Sequence, residues 1–220
     1  MKHATVLIAL LPLCAFAAAD GGSADSVAKS LKSAMERQLT ENGTVCLGKF
    51  DWPIEVSEPD FQEHTRDAVQ MPVLEQLGLV TASKGLVLRR TAATEESPAT
   101  EEKLAVTRYA LTEAGRRYYL AKNATTGTGA SKVEHHYDLC PVRLSLDKVV
   151  RWDEPTAVGA TPETTLTYTY KATSADWVKD PGVQKVFPVL DRLIKGAGTL
   201  QLQQRMRLTK EGWVALAPRT

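Results

Sequence analysis

The sequence predicts an α+β protein, an N-terminal helix followed by two related helix-plus-antiparallel-hairpin units. Three observations predict it. Apolar residues switch several times between helical spacing and a spacing of two. The strand-like runs are short, rich in Val, Thr, Tyr and Trp, and bounded by Gly, Pro, Asn or Asp. A helical phrase and a turn phrase each occur twice, in the same order, in the two halves of the chain. The composition, 43% apolar and 24% charged over 220 residues, is that of a globular chain and excludes a fibrous or disordered one.

The first element is an export signal. Met1-Lys2-His3 is a short basic start, Val6 to Phe16 an apolar run broken only by Pro12, and Ala17-Ala18-Ala19 a small-residue exit. That order predicts a secretory signal peptide over residues 1–19, cleaved near Ala17 or Ala19. The run falls short of the roughly 18 to 20 apolar residues that span a bilayer. Leu13, in front of Cys14, argues against a lipidated cysteine. A periplasmic or secreted chain with no transmembrane span is expected.

Ser23 to Asn42 follows as an amphipathic helix with Val27, Leu31, Ala34, Met35 and Leu39 on one face, capped by Ser23 or Asp25 and stopped by Asn42-Gly43. Val45 to Val56 reads as strand, with a break at Ser57-Glu58-Pro59-Asp60. Asp67 to Leu77 reads as a helix ended by Gly78. Leu79 to Thr81 and Leu86 to Arg90 read as strands joined around Lys84-Gly85. A polar loop spans Thr91 to Lys103, and Leu104 to Leu111 is a further strand. Residues 20–122 then form the N-terminal helix and first unit, 123–132 a linker without apolar period, and 133–220 the second unit. That unit holds strands at Leu139 to Trp152 and Thr164 to Tyr170, and a helix from Pro181 to Lys195. Two more strands follow, Leu200 to Leu208 and Trp213 to Ala217.

The repeat rests on two phrases. Met71-Pro72-Val73-Leu74-Glu75-Gln76-Leu77 aligns with Phe187-Pro188-Val189-Leu190-Asp191-Arg192-Leu193, and Leu111-Thr112-Glu113-Ala114-Gly115 with Leu208-Thr209-Lys210-Glu211-Gly212. The turn phrase predicts a hairpin in each half, with arms ending at Leu111 and Leu208. The first half also carries Leu77-Gly78-Leu79-Val80 and Tyr109-Ala110-Leu111-Thr112-Glu113-Ala114-Gly115-Arg116. Over residues 65–120 this resembles a winged-helix domain of the MarR or PadR kind. There a helix ends at a Leu-Gly-Leu step, a two-stranded wing follows, and a strand leads into Leu-Thr-x-x-Gly. The resemblance implies a winged-helix-like packing unit, and the repeat extends that expectation to the C-terminal half. The family's DNA contacts come from a basic helix, whereas Asp67 to Leu77 carries Asp67 and Glu75 and no Lys or Arg.

Charge gives the same answer about nucleic acid. Without Lys2 the chain has as many basic as acidic side chains, 26 being acidic, and a duplex binder needs a basic excess. Once Cys14 leaves with the signal, Cys46 and Cys140 form an even pair in an oxidising compartment, and a disulfide between them is predicted. Closing that loop of about 95 residues stabilises the fold by roughly 4 to 5 kcal/mol.

The chemistry-bearing residues are sparse. Glu134 to Cys140 gathers His135, His136 and Asp138, and strand alternation puts His136 on one face with Asp138. His64, His136 and Asp138 are the candidate catalytic residues. No second cluster completes a zinc site, so neither metal nor cofactor is expected. Glu55, Glu58 and Asp60 stand beside a proline turn, where a solvated loop is the expectation. Trp52 and Trp152, at strand ends near Pro53 and Pro155, are candidate stacking residues for a sugar or peptide, or else sheet anchors. The sequence therefore predicts an exported, non-catalytic binding or protein-interaction protein of the cell envelope, partnered by a protein or envelope component. An envelope hydrolase with a dispersed His/acid site comes second, and a winged-helix DNA-binding protein third.

Overall fold

The structure, a computed structural model, describes residues 24–91, 100–159 and 161–217. The expected signal segment, the Ser23 cap and residues 92–99 of the expected polar loop lie outside the described residues. In chain order the elements begin with α1 (Ala24–Asn42), β1 (Thr44–Val45), β2 (Ile54–Ser57), α2 (Glu58–Gln62) and α3 (Arg66–Gln76). Then come β3 (Val80–Thr91), β4 (Thr100–Leu111), α4 (Glu113–Arg116), β5 (Tyr119–Thr126) and β6 (Val133–Leu139). The chain continues with β7 (Val142–Trp152), β8 (Thr156–Val158), β9 (Thr161–Ser174), α5 (Pro181–Val186) and α6 (Pro188–Gly196). It closes on β10 (Leu202–Thr209) and β11 (Gly212–Ala215). The fold is α+β, and its strand pairs are antiparallel.

The largest sheet runs β1-β7-β9-β10-β11, with β8 beside β9. Helix α1 packs against β7, near one end of that order, and against β11, at the other. The sheet must therefore curl around the helix as a half-barrel. Its register explains the curl: between β7 and β9 it shifts at Leu146/Lys148 and again at Val149/Arg151, and such bulges bend a strand. Leu31, Ala34, Met35 and Leu39 of α1 are buried in the core, the stripe that the helical spacing predicts. Each large member contributes roughly 1.5 to 3 kcal/mol. Strand β9 is covered on both faces, burying Thr164, Leu166, Tyr168 and Tyr170 on one and Thr167 and Thr169 on the other.

The second sheet, in the order β2-β4-β3, and the two-stranded sheet β5-β6 carry the remaining strands. Gly78 takes φ of 69° after α3, the left-handed stop that the sequence implied. Thr112 then fixes the return of the chain. Its Oγ1 donates to Gly78 O at 2.7 Å and accepts from Gly115 N at 3.1 Å, starting α4. A Cβ on Gly115 would lie 2.0 Å from Leu79 O, so only glycine fits there.

Several local expectations are corrected. Ser57 to Asp60 is no simple break: Ser57 and Asp60 form a capping box, and Pro59 sits in the first turn of α2, where it needs no N–H donor. Lys84-Gly85 is no turn, because β3 runs unbroken and pairs in register with β4 from Val80↔Leu111 to Thr91↔Thr100. The same pairing carries β4 back to Thr100, into the expected polar loop. The Leu139 to Trp152 strand is divided at Cys140-Pro141, and the Pro181 to Lys195 helix at Phe187-Pro188, since proline cannot donate within either element. Residues 123–132 are the outer end of the β5–β6 hairpin, where Thr126 pairs with Val133. Leu111 to Gly115 caps a helix, whereas Leu208 to Gly212 makes the hairpin turn, with Thr209 opposite Gly212. Gly43 does not adopt positive φ. It is required by space, since a Cβ would meet Leu39 O at 2.4 Å and Leu144 O at 2.5 Å.

Gly115→Ala forces the Leu79 carbonyl aside, and chemical denaturation is expected to show a loss of about 2 kcal/mol. Gly85→Ala, in extended strand with only side-chain atoms of Arg108 and Val106 near the new Cβ, at 3.4 Å or more, serves as the comparison. Equal losses in the two variants would refute the close-approach argument.

Candidate functional site

Between β1 and β2 the chain crosses from the large sheet to the small one as a strap, residues 46–53, laid over the β5–β6 hairpin. Cys46 is disulfide-bonded to Cys140, just past the end of β6. Leu47 N donates to Leu139 O at 2.9 Å. Asp138 is buried and accepts from three backbone amides: Lys49 N at 2.7 Å, Gly48 N at 3.1 Å and Leu139 N at 2.7 Å. Burial pushes the Asp138 carboxyl above the usual aspartate value, and these amides and Lys49 offset part of that rise. Lys49 is itself 1% exposed, with its ammonium on the Asp67 carboxylate at the start of α3. Burial draws the Lys49 amine below the ordinary lysine value, against the opposing pull of Asp67. Further along, Phe50 stacks on His135 at 4.2 Å between ring centroids, and the Tyr119 hydroxyl donates to Phe50 O.

His135 Nε2 meets the Thr126 hydroxyl at 2.9 Å, and Asp51 Oδ2 lies 2.9 Å from Nδ1. The sequence of groups is hydroxyl, imidazole, carboxylate. Nδ1 nevertheless makes no hydrogen bond, because the carboxylate sits out of line with the N–H. In this geometry Asp51 does not set the imidazole tautomer, and it is the Phe50 stack on His135 that holds the strap to β6 here.

The sequence-predicted candidates are given separate partners. His64, exposed on the turn before α3 with φ of 53°, places Nδ1 3.0 Å from Gln62 O. His136 is exposed, with Nδ1 3.2 Å from Asn123 Oδ1, and Asp138 is occupied by the strap amides. The expected sharing of a face by His136 and Asp138 assembles nothing, since the strap covers Asp138 and His135 and leaves His136 outside. Cys46, Asp138 and Cys140 are the grouping of three potential metal ligands among the described residues. Both sulfurs are committed to the disulfide and the carboxylate to amides. Glu55 pairs with Arg108 at 2.6 Å, and Asp60 is held below the usual aspartate value by its hydrogen bonds with Ser57. Trp52 and Trp152 are half-buried against the core. Beside the disulfide a pocket of about 240 Å³ is lined by Val45, Cys46, Leu47, Gln70, Phe187 and Leu190, among others.

The feature that sequence reasoning passed over is an arm. Strand β2 pairs with β4 only from Ile54↔Tyr109 to Ser57↔Val106, after which its chain turns into α2. Strands β3 and β4 continue past that point as a two-stranded ribbon. The β3 face that buries Val80 at the base carries Ala82, Lys84, Leu86, Leu88 and Arg90 in succession. On the ribbon its cover is gone: Leu86 is 66% exposed and Leu88 57%. Lys84 lies on the near side of these leucines, Lys103 stands opposite Leu88, and Arg90 pairs with Glu101 at 2.5 Å. The spacing of Leu86 and Leu88 was in the sequence. How far α3, which packs against β3 at its base, reaches along that strand was not.

Among the described residues no helix is long and apolar enough to cross a membrane. No protein-family model, curated protein or solved structure matches this chain.

A buried ammonium with one partner gives a sharp contrast. Lys49→Met removes a charge that is costly to bury and is expected to leave the melting temperature within a few degrees of the parent. Asp67→Asn strands the ammonium and lowers it further. The Asp67→Asn deficit shrinks as pH rises, because Lys49, already below its ordinary value, then sheds its proton. Circular-dichroism melts at about pH 7 and pH 10 measure both effects.

Proposed function

We propose that this is an exported protein of the cell envelope that acts by binding another protein and catalyses no reaction. The observation that carries the reading is the pair Leu86 and Leu88, adjacent on one face of a projecting ribbon and open to solvent. Scattered exposed apolar residues are ordinary. Two on a protruding edge strand, continuous with a buried face, mark a surface that gains from being covered. The separate partners of His64, His136 and Asp138 give a hydrolase nothing to build on.

Export is supported by the basic-apolar-small order of residues 1–19 and by the Cys46–Cys140 pair, which persists in an oxidising compartment. A winged-helix-like first unit is supported by the succession of α3, the Gly78 turn, the β3–β4 hairpin and Thr112-capped α4. The second unit shares the step from helix α6 to hairpin β10–β11. In this reading the wing is the arm, and it serves a protein partner where a regulator's wing would serve DNA.

Intact mass spectrometry of native protein from its host is expected to show a chain starting after Ala17 or Ala19 and two hydrogens lighter than the dithiol. A chain beginning at Met1 with free thiols would refute export. A photo-crosslinking residue at Leu86 or Leu88 is expected to give a discrete adduct in host envelopes, while one at exposed Val133 gives none. Absence of adducts at both arm positions would overturn the interaction role.

A further inference from the structure

The free edge of β3 has a fixed hydrogen-bonding parity. Thr112 N donates to Leu79 O at 3.1 Å, so the odd-numbered position leading into the hairpin bonds across to β4. Ala82 N turns the other way and donates to Glu75 Oε1 at 3.2 Å. The β3–β4 register runs without a bulge from Val80 to Thr91, so that alternation continues along the arm. Lys84, Leu86, Leu88 and Arg90 therefore present backbone N–H and C=O groups outward, on the edge that no strand among the described residues occupies. Glu75 occupies the Ala82 amide and marks where the open edge begins.

The side chains of the same four residues specify what fits. Two leucines stand between Lys84 and Arg90, and Lys103 faces Leu88 from β4. Strand β3 carries Lys84, Arg89 and Arg90 and no acidic residue. We propose that this edge takes, as an added strand, an extended segment of a partner protein whose face beside Leu86 and Leu88 carries two apolar residues flanked by acidic ones. The apolar residues cover Leu86 and Leu88, the acidic ones, two positions away on the same face, meet Lys84 and Arg90, and the partner's backbone satisfies the outward amides. A second copy of this chain, paired antiparallel about Val87, would set Lys84 against Arg90, a like-charge pairing that costs stability. An anionic lipid surface would meet Glu101 on the leucine face and leave the open amides unpaired.

The proposal rests on the interaction reading, and its test separates the two. The probe is a labelled seven-residue peptide, Glu-Thr-Val-Thr-Val-Thr-Glu, which sets its glutamates and valines on one face, titrated into the mature chain by fluorescence anisotropy. Saturable binding is expected, weakening with added salt. Leu86→Pro removes an outward N–H without touching the β4 ladder, so it should bind about tenfold more weakly than Leu86→Ala. In the unsubstituted protein, hydrogen exchange at the Lys84, Leu86 and Leu88 amides should slow about tenfold or more in the complex. The Gly85 and Val87 amides, already bonded to β4, should change little. This second readout decides the matter even if the proline variant fails to fold.

Four results overturn strand addition: no peptide binding up to about 1 mM, equal affinity of the proline and alanine variants, unchanged exchange at the even-numbered amides, or a concentration-dependent dimer formed through the arm. Sedimentation with phosphatidylglycerol vesicles in place of peptide binding overturns it in favour of a lipid surface. Crosslinks at Leu86 alongside any of these would keep the interaction role and discard this mode of binding.

Discussion

The strap from Cys46 to Pro53 is the constraint on which the arrangement of the sheets depends. It joins β1, in the large sheet, to β2, in the small one, and it crosses the β5–β6 hairpin on the way. A loop in that position would bury unpaired backbone amides. Asp138 removes the difficulty by taking two of them, Gly48 N and Lys49 N, on the carboxylate that also accepts from Leu139 N of β6. The disulfide fixes one end of the crossing, and the Lys49–Asp67 pair anchors its middle to α3. Three separate strand groupings thereby share one core, in which Leu139 of β6, Val56 of β2 and Leu166 of β9 are all buried.

The arm follows from a mismatch of lengths. Twelve-residue β3 and β4 are offered only four residues of β2, because the Ser57 capping box redirects the chain into α2. A strong local helix signal thus cuts short a sheet that the cross-strand pairing would otherwise extend. The face that is core at Val80 and Leu111 becomes surface at Leu86 and Leu88 without any change in its apolar character. Natural sheets blunt such edges with charge, and the lysine and arginines of β3 do so here. They also make the edge selective, since neutral aggregation and self-pairing are opposed while an acidic strand is not.

Much of this was legible where one signal acted alone. The Leu31, Met35 and Leu39 stripe fixed α1, and the Thr and Tyr alternation of Thr164 to Tyr170 fixed the strand that proves to be central. Legibility failed where two signals competed. Gly85 resembles a turn residue, yet pairing with Val106 holds it inside a strand. Pro59 resembles a breaker, yet in the first turn it is compatible with a helix. The pairing of Cys46 with Cys140 could be expected from compartment and number, but not the buried Lys49 beside it, which in sequence is one more basic residue. At His135 and Asp138 alternation assigns opposite sides, yet the strap meets both, which a period of two does not foretell. The same gap hid the arm, because exposure depends on how far the packing of α3 extends along β3.

The half-barrel has a consequence for the order in which the protein can assemble. Arg37 of α1 donates to Trp213 O of β11, a contact across 176 positions, and the same helix lines the sheet that β11 completes. The earliest helix therefore cannot find its final seat until the last strand has arrived. Stepwise docking of finished pieces from the N-terminus is closed to such a topology, and contacts of this sequence range make for slow folding. A polypeptide wired in this way stays open until its last strand is free to pair and becomes a closed body only then.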